Sequence, residues 1–211
     1  MTEKKISNIV RTMSGNGSKD RQENDFYSTP YCATQALVDR LDFDKSVPIL
    51  EPMCGKGHIA NVLIKNGYNV VMEDLISYPN IETGELCDGG HDFLKRKSWD
   101  GNIITNPPYG LSSDMVRHAL DIIPDGKWVA MLLRLQFLEG QERYKLYQDY
   151  PLKYVYVFSK RIGCSKNGET IENIPSAQCF CWFVWQKGFS GDSIVRWIGE
   201  LKEGKQSISL F

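Results

Sequence analysis

Val47-Pro48-Ile49-Leu50-Glu51-Pro52-Met53-Cys54-Gly55-Lys56-Gly57 opens the stretch whose reading decides the fold. Val47–Leu50 is a short apolar run after a turn, and it predicts a buried strand. Gly55-Lys56-Gly57 breaks that run. His58–Lys65 then resumes at helical spacing and stops at Asn66-Gly67, a pair suited to helix ends. Tyr68–Met72 is a second apolar run, and Glu73-Asp74 terminates it. Strand, glycine turn, helix and strand in that order predict the start of an α/β sheet.

The same alternation continues outward. Upstream, Thr29-Pro30 is predicted to cap and open a helix with Ala33, Leu37, Val38 and Leu41 on one face. Downstream, Tyr78–Gly90 is irregular, and Asn102–Thr105 is a strand running into Asn106-Pro107-Pro108-Tyr109. Ser112–Ile123 reads as a helix, Lys127–Leu133 as a strand, and Glu139–Asp149 as an amphipathic helix. Lys153–Phe158 and Gln178–Trp185 are β-branched and aromatic strands flanking a polar loop, Arg161–Pro175, and Asp192–Leu201 is a short closing element. Strands separated by helices pair in parallel. The last two strands have no helix between them, so an antiparallel hairpin at one edge is expected. Residues 1–24, rich in Ser, Gly, Asn, Lys and Glu, read as a flexible arm, and residues 25–211 as a single domain.

Composition narrows the classes. At 211 residues the chain can bury a core without staples. Its apolar runs are too short to span a bilayer, and no charged-then-apolar leader opens it, so a cytoplasmic setting is expected. Six cysteines contain no C-x-x-C pair, which argues against a zinc site or a disulfide framework, and no metal is expected. The net charge of −1 requires that any surface facing a polyanion be local and balanced by acid elsewhere.

The glycine turn lies where a strand hands over to a helix, the place at which open α/β sheets bind ligands. Gly55 and Gly57 allow a close backbone approach. Without a third glycine the dinucleotide fingerprint is incomplete. Glu51 and Met53 precede and occupy the turn, and Glu51 suits an amino-acid ammonium better than a pyrophosphate. Asp74, or its neighbour Glu73, ends the next strand where ribose hydroxyls of an adenosyl group can be received. Asp92 can take an adenine amino group while Phe93 packs on the ring. Each feature has a plain structural alternative: a tight βα turn, a solvated strand-end acid, a helix cap.

Asn106-Pro107-Pro108-Tyr109 is more specific. Two prolines fix the backbone and remove donors, holding the Pro107 carbonyl outward. That carbonyl and the Asn106 side-chain oxygen are both acceptors, and together they can take both protons of an sp² amino group. Tyr109 offers a face on which a planar group can stack. Pro108 contributes to the same wall.

Taken together, Asp25-Phe26-Tyr27-Ser28-Thr29-Pro30, Glu51 through Gly57, and Asn106 through Tyr109 resemble the amino methyltransferases that act on DNA adenine, most of all the small phage- and prophage-type N6-adenine enzymes. The resemblance spans roughly residues 25 to 200. It implies a Rossmann-like, seven-stranded, mostly parallel sheet with helices on both faces and a C-terminal antiparallel hairpin. S-adenosyl-L-methionine is the cofactor it implies, with Phe26, Ser28 and Thr29 closing over the methionine part. The implied reaction is methyl transfer to the exocyclic amino group of adenine in DNA, either flipped from a duplex or single-stranded. Asn106, Pro107 and Tyr109 would be catalytic. Lys160, Arg161 and Lys166 form the candidate phosphate-contacting set, with a solvated loop as the alternative. No separate target-recognition domain is evident. The same motif also serves methylation of an RNA base amino group or a protein glutamine amide. A non-catalytic S-adenosylmethionine-binding partner is the reading from another class, although such a protein has no need of Asn106 and Tyr109.

Overall fold

The computed structural model describes residues 27–166 and 178–199. The arm at 1–24, Phe26 and most of the loop before Pro175 lie outside the described residues, as does the side chain of Lys166. Nine strands are described: β1 Tyr27–Ser28, β2 Ile49–Glu51, β3 Val70–Met72, β4 Asn102–Thr105, β5 Trp128–Arg134, β6 Tyr154–Phe158, β7 Ser165–Lys166, β8 Phe180–Gln186 and β9 Ile194–Ile198. The α-helices are α1 Tyr31–Val38, α2 His58–Lys65, α3 Ser112–Ile122 and α4 Gln141–Asp149.

Seven strands form the main sheet in the order β3-β2-β4-β5-β8-β6-β9. β3, β2, β4 and β5 are mutually parallel, and β8 is antiparallel to both β5 and β6. The hairpin expected from β6 and β8 forms, but β8 slots between β5 and β6. The closing element supplies the edge strand β9, parallel to β6 over Tyr154–Phe158. An edge strand needs only one hydrogen-bonded neighbour, so a short run with an exposed outer face suffices there.

Alternation along the strands sorts the core into two layers. Ile49, Ile104, Ala130, Leu132, Trp182 and Val184 face α1 and α2 through Ala33, Leu37, Ile59 and Leu63. Leu50, Ile103, Val129, Met131, Phe183 and Trp185 face α3 and α4 through Val116, Leu120 and Leu146. Helices therefore cover both faces. Trp182, fully buried, donates its indole N–H to the Ala33 carbonyl at 2.8 Å and so ties the sheet centre to α1.

Two local expectations are corrected. Pro30, not Thr29, occupies the position before α1, and no side chain caps that helix. The Thr29 hydroxyl is committed to Asn106 instead. The loop after β6 is not wholly irregular: β7 pairs antiparallel with β1, Tyr27 opposite Lys166 and Ser28 opposite Ser165.

Candidate active site

β2 has β3 on one side and β4 on the other, so the chain reverses its direction of travel across the sheet at β2. A crevice opens at the carboxyl ends of strands around such a point. A cavity of about 600 Å³ lies there, bounded by the ends of β1, β2, β3 and β4 and by α3.

Its acidic end is built from Glu51 and Asp74. Glu51 is buried, and its carboxylate accepts from the Ala60 amide at 2.8 Å. Burial pushes its pKa well above the usual carboxylate range, against the lowering effect of that bond. Asp74 accepts from the Gly55 amide at 2.8 Å and the Ile76 amide at 3.2 Å, and burial raises its pKa as well. The choice between Asp74 and Glu73 is settled by direction: Asp74 lines the cavity, whereas Glu73 is buried in an ion pair with Arg96.

The glycines act one step back from the cavity wall. Neither Gly55 nor Gly57 lines it, while Met53 and Cys54 do. The Gly55 amide is spent on Asp74. Gly57 has φ +80°, and a Cβ there would come within 2.5 Å of Asn80 Nδ2. Asn80 is buried and exchanges hydrogen bonds with Asn61 of α2. The glycine requirement is therefore backbone conformation and contact with Asn80. Gly57→Val should destabilise the fold by at least ~1–2 kcal/mol through the left-handed backbone alone. A lowered urea midpoint checks this, and an unchanged midpoint would contradict it.

Much of the remaining lining is apolar. Phe93 is buried and meets His118 edge to face at 5.0 Å, and Leu75, Ile76 and Leu111 are exposed large hydrophobics around the same cavity. Exposed apolar side chains on a concave wall suit a planar ring. Asp92 also lines the cavity, accepts from the Leu94 amide and pairs with Lys95 at 3.0 Å, and the Lys95 hydrogen bond holds its pKa down. It thus serves as a cap as well as a wall residue. Leu75, Ile76, Leu111 and Met115 do not stand out in the sequence. An apolar pair directly after the strand-end acid is the available signal for the first two.

Asn106 lines the cavity at the end of β4, and Pro108 lies beside it. Its amide nitrogen donates to the Tyr27 carbonyl and to Thr29 Oγ1, both at 3.1 Å. A carbonyl can only accept, so the NH₂ must face Tyr27, and the orientation of the carboxamide is fixed. Its oxygen is buried and has no hydrogen-bond partner among the described residues. Ser28 and Thr29 are buried in the same wall.

Pro107 is buried, and neither it nor Tyr109 lines the cavity. The Tyr109 ring packs between Tyr27 at 5.8 Å and Phe180 at 5.7 Å, and the Arg134 guanidinium lies over it at 4.8 Å. Its hydroxyl is buried beside Asn106 and Cys164, and burial pushes its pKa well above the usual phenol range. The expected open stacking face is therefore covered in this conformation. Burial pushes the Cys164 thiol up to about 12, so it is no thiolate nucleophile near neutral pH.

β6 is parallel to β5, since β8 is antiparallel to both, and its carboxyl end faces the same way as the cavity. Lys160 and Arg161 follow that end and are exposed, and the chain then returns through β7 to β1 at the cavity wall. Among the described residues no three His, Cys, Asp or Glu side chains gather as metal ligands would. No described helix is long and apolar enough to cross a membrane.

No family model matches the sequence, and no curated protein matches it. Solved structures are similar in fold. One, assigned as a class I S-adenosylmethionine-dependent methyltransferase of Listeria monocytogenes, has a TM-score of 0.59 at 11% identity, over 95% of this chain and 73% of that one. A type I restriction-modification methyltransferase subunit from Streptococcus thermophilus gives 0.54 at 15% identity, over 88% of this chain and 50% of that one. A protein of Pyrococcus horikoshii assigned as an RNA methyltransferase gives 0.57 at 12% identity, over 86% and 98%. The chain spans half of the restriction-modification subunit and most of the other two. It has the Rossmann-like fold that these methyltransferase structures share.

Proposed function

We propose that this protein transfers a methyl group from S-adenosyl-L-methionine to the N6 amino group of adenine in DNA. The observation that carries the reading is Asn106: a carboxamide locked by its own NH₂, with a buried oxygen that has no partner among the described residues, in the wall of a cavity that Glu51 and Asp74 also line. A buried acceptor left unsatisfied costs stability, so it is kept for a donor that arrives.

Three features of the cavity fit the cofactor. Glu51 is a buried acid suited to an ammonium, Asp74 suits hydroxyl donors, and the wall of Ile76, Phe93 and Leu111 suits a purine. Bound there, S-adenosylmethionine would supply a methyl group on positively charged sulfur; transfer would form an N–C bond, break the S–C bond, leave the electron pair on sulfur and release one proton from nitrogen to solvent. The chain's own part is positioning. Asn106 Oδ1, and the Pro107 carbonyl once it faces the cavity, would accept hydrogen bonds from the two amino hydrogens, which draws the nitrogen lone pair out of the ring system and toward attack. The Tyr27 carbonyl and the Thr29 hydroxyl hold Asn106, and Ser28 and Thr29 close the wall. Tyr109 stacks on the base once its face is uncovered.

DNA is preferred to RNA or a protein amide because of the sequence resemblance; the shared fold does not separate the substrates, since a restriction-modification subunit and a protein assigned as an RNA methyltransferase both have it. Lys160, Arg161 and Lys166 are the proposed phosphate contacts. Replacing Lys160 and Arg161 with alanine should reduce the slope of log affinity against log salt by about 0.9 for each phosphate no longer neutralised. Incubation with labelled cofactor, comparing duplex DNA, single-stranded DNA, RNA and protein as acceptors, tests the reading. Label in DNA is expected, and label confined to RNA or protein would overturn it.

A further inference from the structure

Arg134 ends β5, opposite Phe180 in the register of β8, one strand away from Asn106. It is partly buried, and its Nε is fully enclosed with no hydrogen-bond partner among the described residues. Its guanidinium carbon lies 4.8 Å over the Tyr109 ring. No carboxylate pairs with it among the described residues. Other arginines here are differently placed: Arg96 is paired with Glu73, and Arg117 with Asp149. A partly buried cation held only by a ring is costly, because the ring replaces little of its lost hydration.

Two polar atoms without a hydrogen-bond partner among the described residues thus gather at the ends of β4 and β5: Asn106 Oδ1 and Arg134 Nε. The first matches a donor, and the last matches an anion. Arg134 also blocks a face of the ring on which the substrate base should stack. One event can relieve both conditions.

We infer that Arg134 is a positioning residue that binds a backbone phosphate of the nucleic-acid substrate and, in doing so, withdraws from the part of the Tyr109 ring that it covers. The inference rests on the nucleic-acid reading of the site. A phosphate oxygen gives the planar guanidinium the paired acceptors it lacks, which the ring cannot. Recognition of the strand and withdrawal of the guanidinium from the ring are then one step.

Arg134→Gln keeps a planar end without charge, and Arg134→Lys keeps the charge without the planar fork. Each is titrated with a fluorescent adenine-containing oligonucleotide across a salt series, with cofactor affinity measured in parallel. The Gln variant should bind DNA about tenfold more weakly, with a salt slope lower by about 0.9. The Lys variant should keep the wild-type slope, and cofactor affinity should stay within a few fold for both. A Gln variant with the wild-type slope would overturn the inference, as would equal losses of DNA and cofactor affinity in both variants. If the wild-type protein binds DNA and methylates it, such results sink only the role of Arg134. Failure of the wild-type protein to bind or methylate any nucleic acid sinks the underlying reading with it.

Discussion

Asn106→Ala is expected to lower methyl transfer by ~10²–10³-fold while leaving cofactor affinity within a few fold, the scale seen when one fixed hydrogen-bonding group is removed from a reacting centre. The reason lies in how the side chain is spent. Its NH₂ joins Tyr27 and Thr29, which steadies the wall, and only its oxygen is left for an incoming group. Loss of the oxygen therefore acts on the reacting amino group. Loss of the NH₂ loosens β1, which predicts a modest drop in melting temperature as well. Asn106→Asp separates the two effects, since it restores an acceptor but cannot donate to the Tyr27 carbonyl. Single-turnover transfer and cofactor titration on the same preparations check this. A large fall in cofactor affinity for the alanine variant would move Asn106 into the cofactor's half of the cavity.

Glu51→Gln should act in opposite directions on stability and on binding. Burial raises the Glu51 pKa well above its ordinary 4.5, so the folded protein holds that proton more tightly than the unfolded chain does. The stability from this group is fully present below the unfolded pKa and is lost as pH rises through the folded pKa. Near neutral pH the wild-type protein thus carries a cost that the Gln variant lacks, and the Gln side chain still accepts from the Ala60 amide. The variant should melt at a higher temperature than wild type at neutral and alkaline pH, with the gap closing as pH falls toward the ordinary carboxylate range. On the proposed reading, the same change removes the partner of a buried ammonium and weakens cofactor binding by at least about tenfold. Melting curves across pH and calorimetric titration test both. A variant less stable than wild type at every pH, with unchanged affinity, would make Glu51 a structural residue.

The fold is largely legible in the sequence because its signals are local and repeated. The apolar runs at Ile49, Val70, Ile103 and Val129 and the glycine turn between the first two dictate parallel strands with helical crossovers. Strand order at the far edge is not legible. Whether β8 lies outside β6 or between β5 and β6 depends on long-range pairing across seven residues, from Trp128 with Gln186 to Arg134 with Phe180, which no local pattern encodes. The site is legible where chemistry needs a particular residue type. Glu51, Asp74, Phe93 and Asn106 do meet at one cavity.

It is illegible where a role depends on what surrounds the side chain. Gly57 reads as a cofactor contact, yet the structure gives it a backbone reason through Asn80. Tyr109 reads as an open platform, yet Tyr27, Phe180 and Arg134 cover it, and those partners come from three separate parts of the chain. Thr29 reads as a helix cap and is instead the hydroxyl that holds Asn106.

Digestion of DNA to nucleosides after incubation with labelled S-adenosylmethionine tests the central claim most directly. The account predicts that the label elutes as N6-methyl-2′-deoxyadenosine and disappears when Asn106 is replaced by alanine. Unlabelled deoxyadenosine, together with label on the glutamine of a protein acceptor, would contradict it.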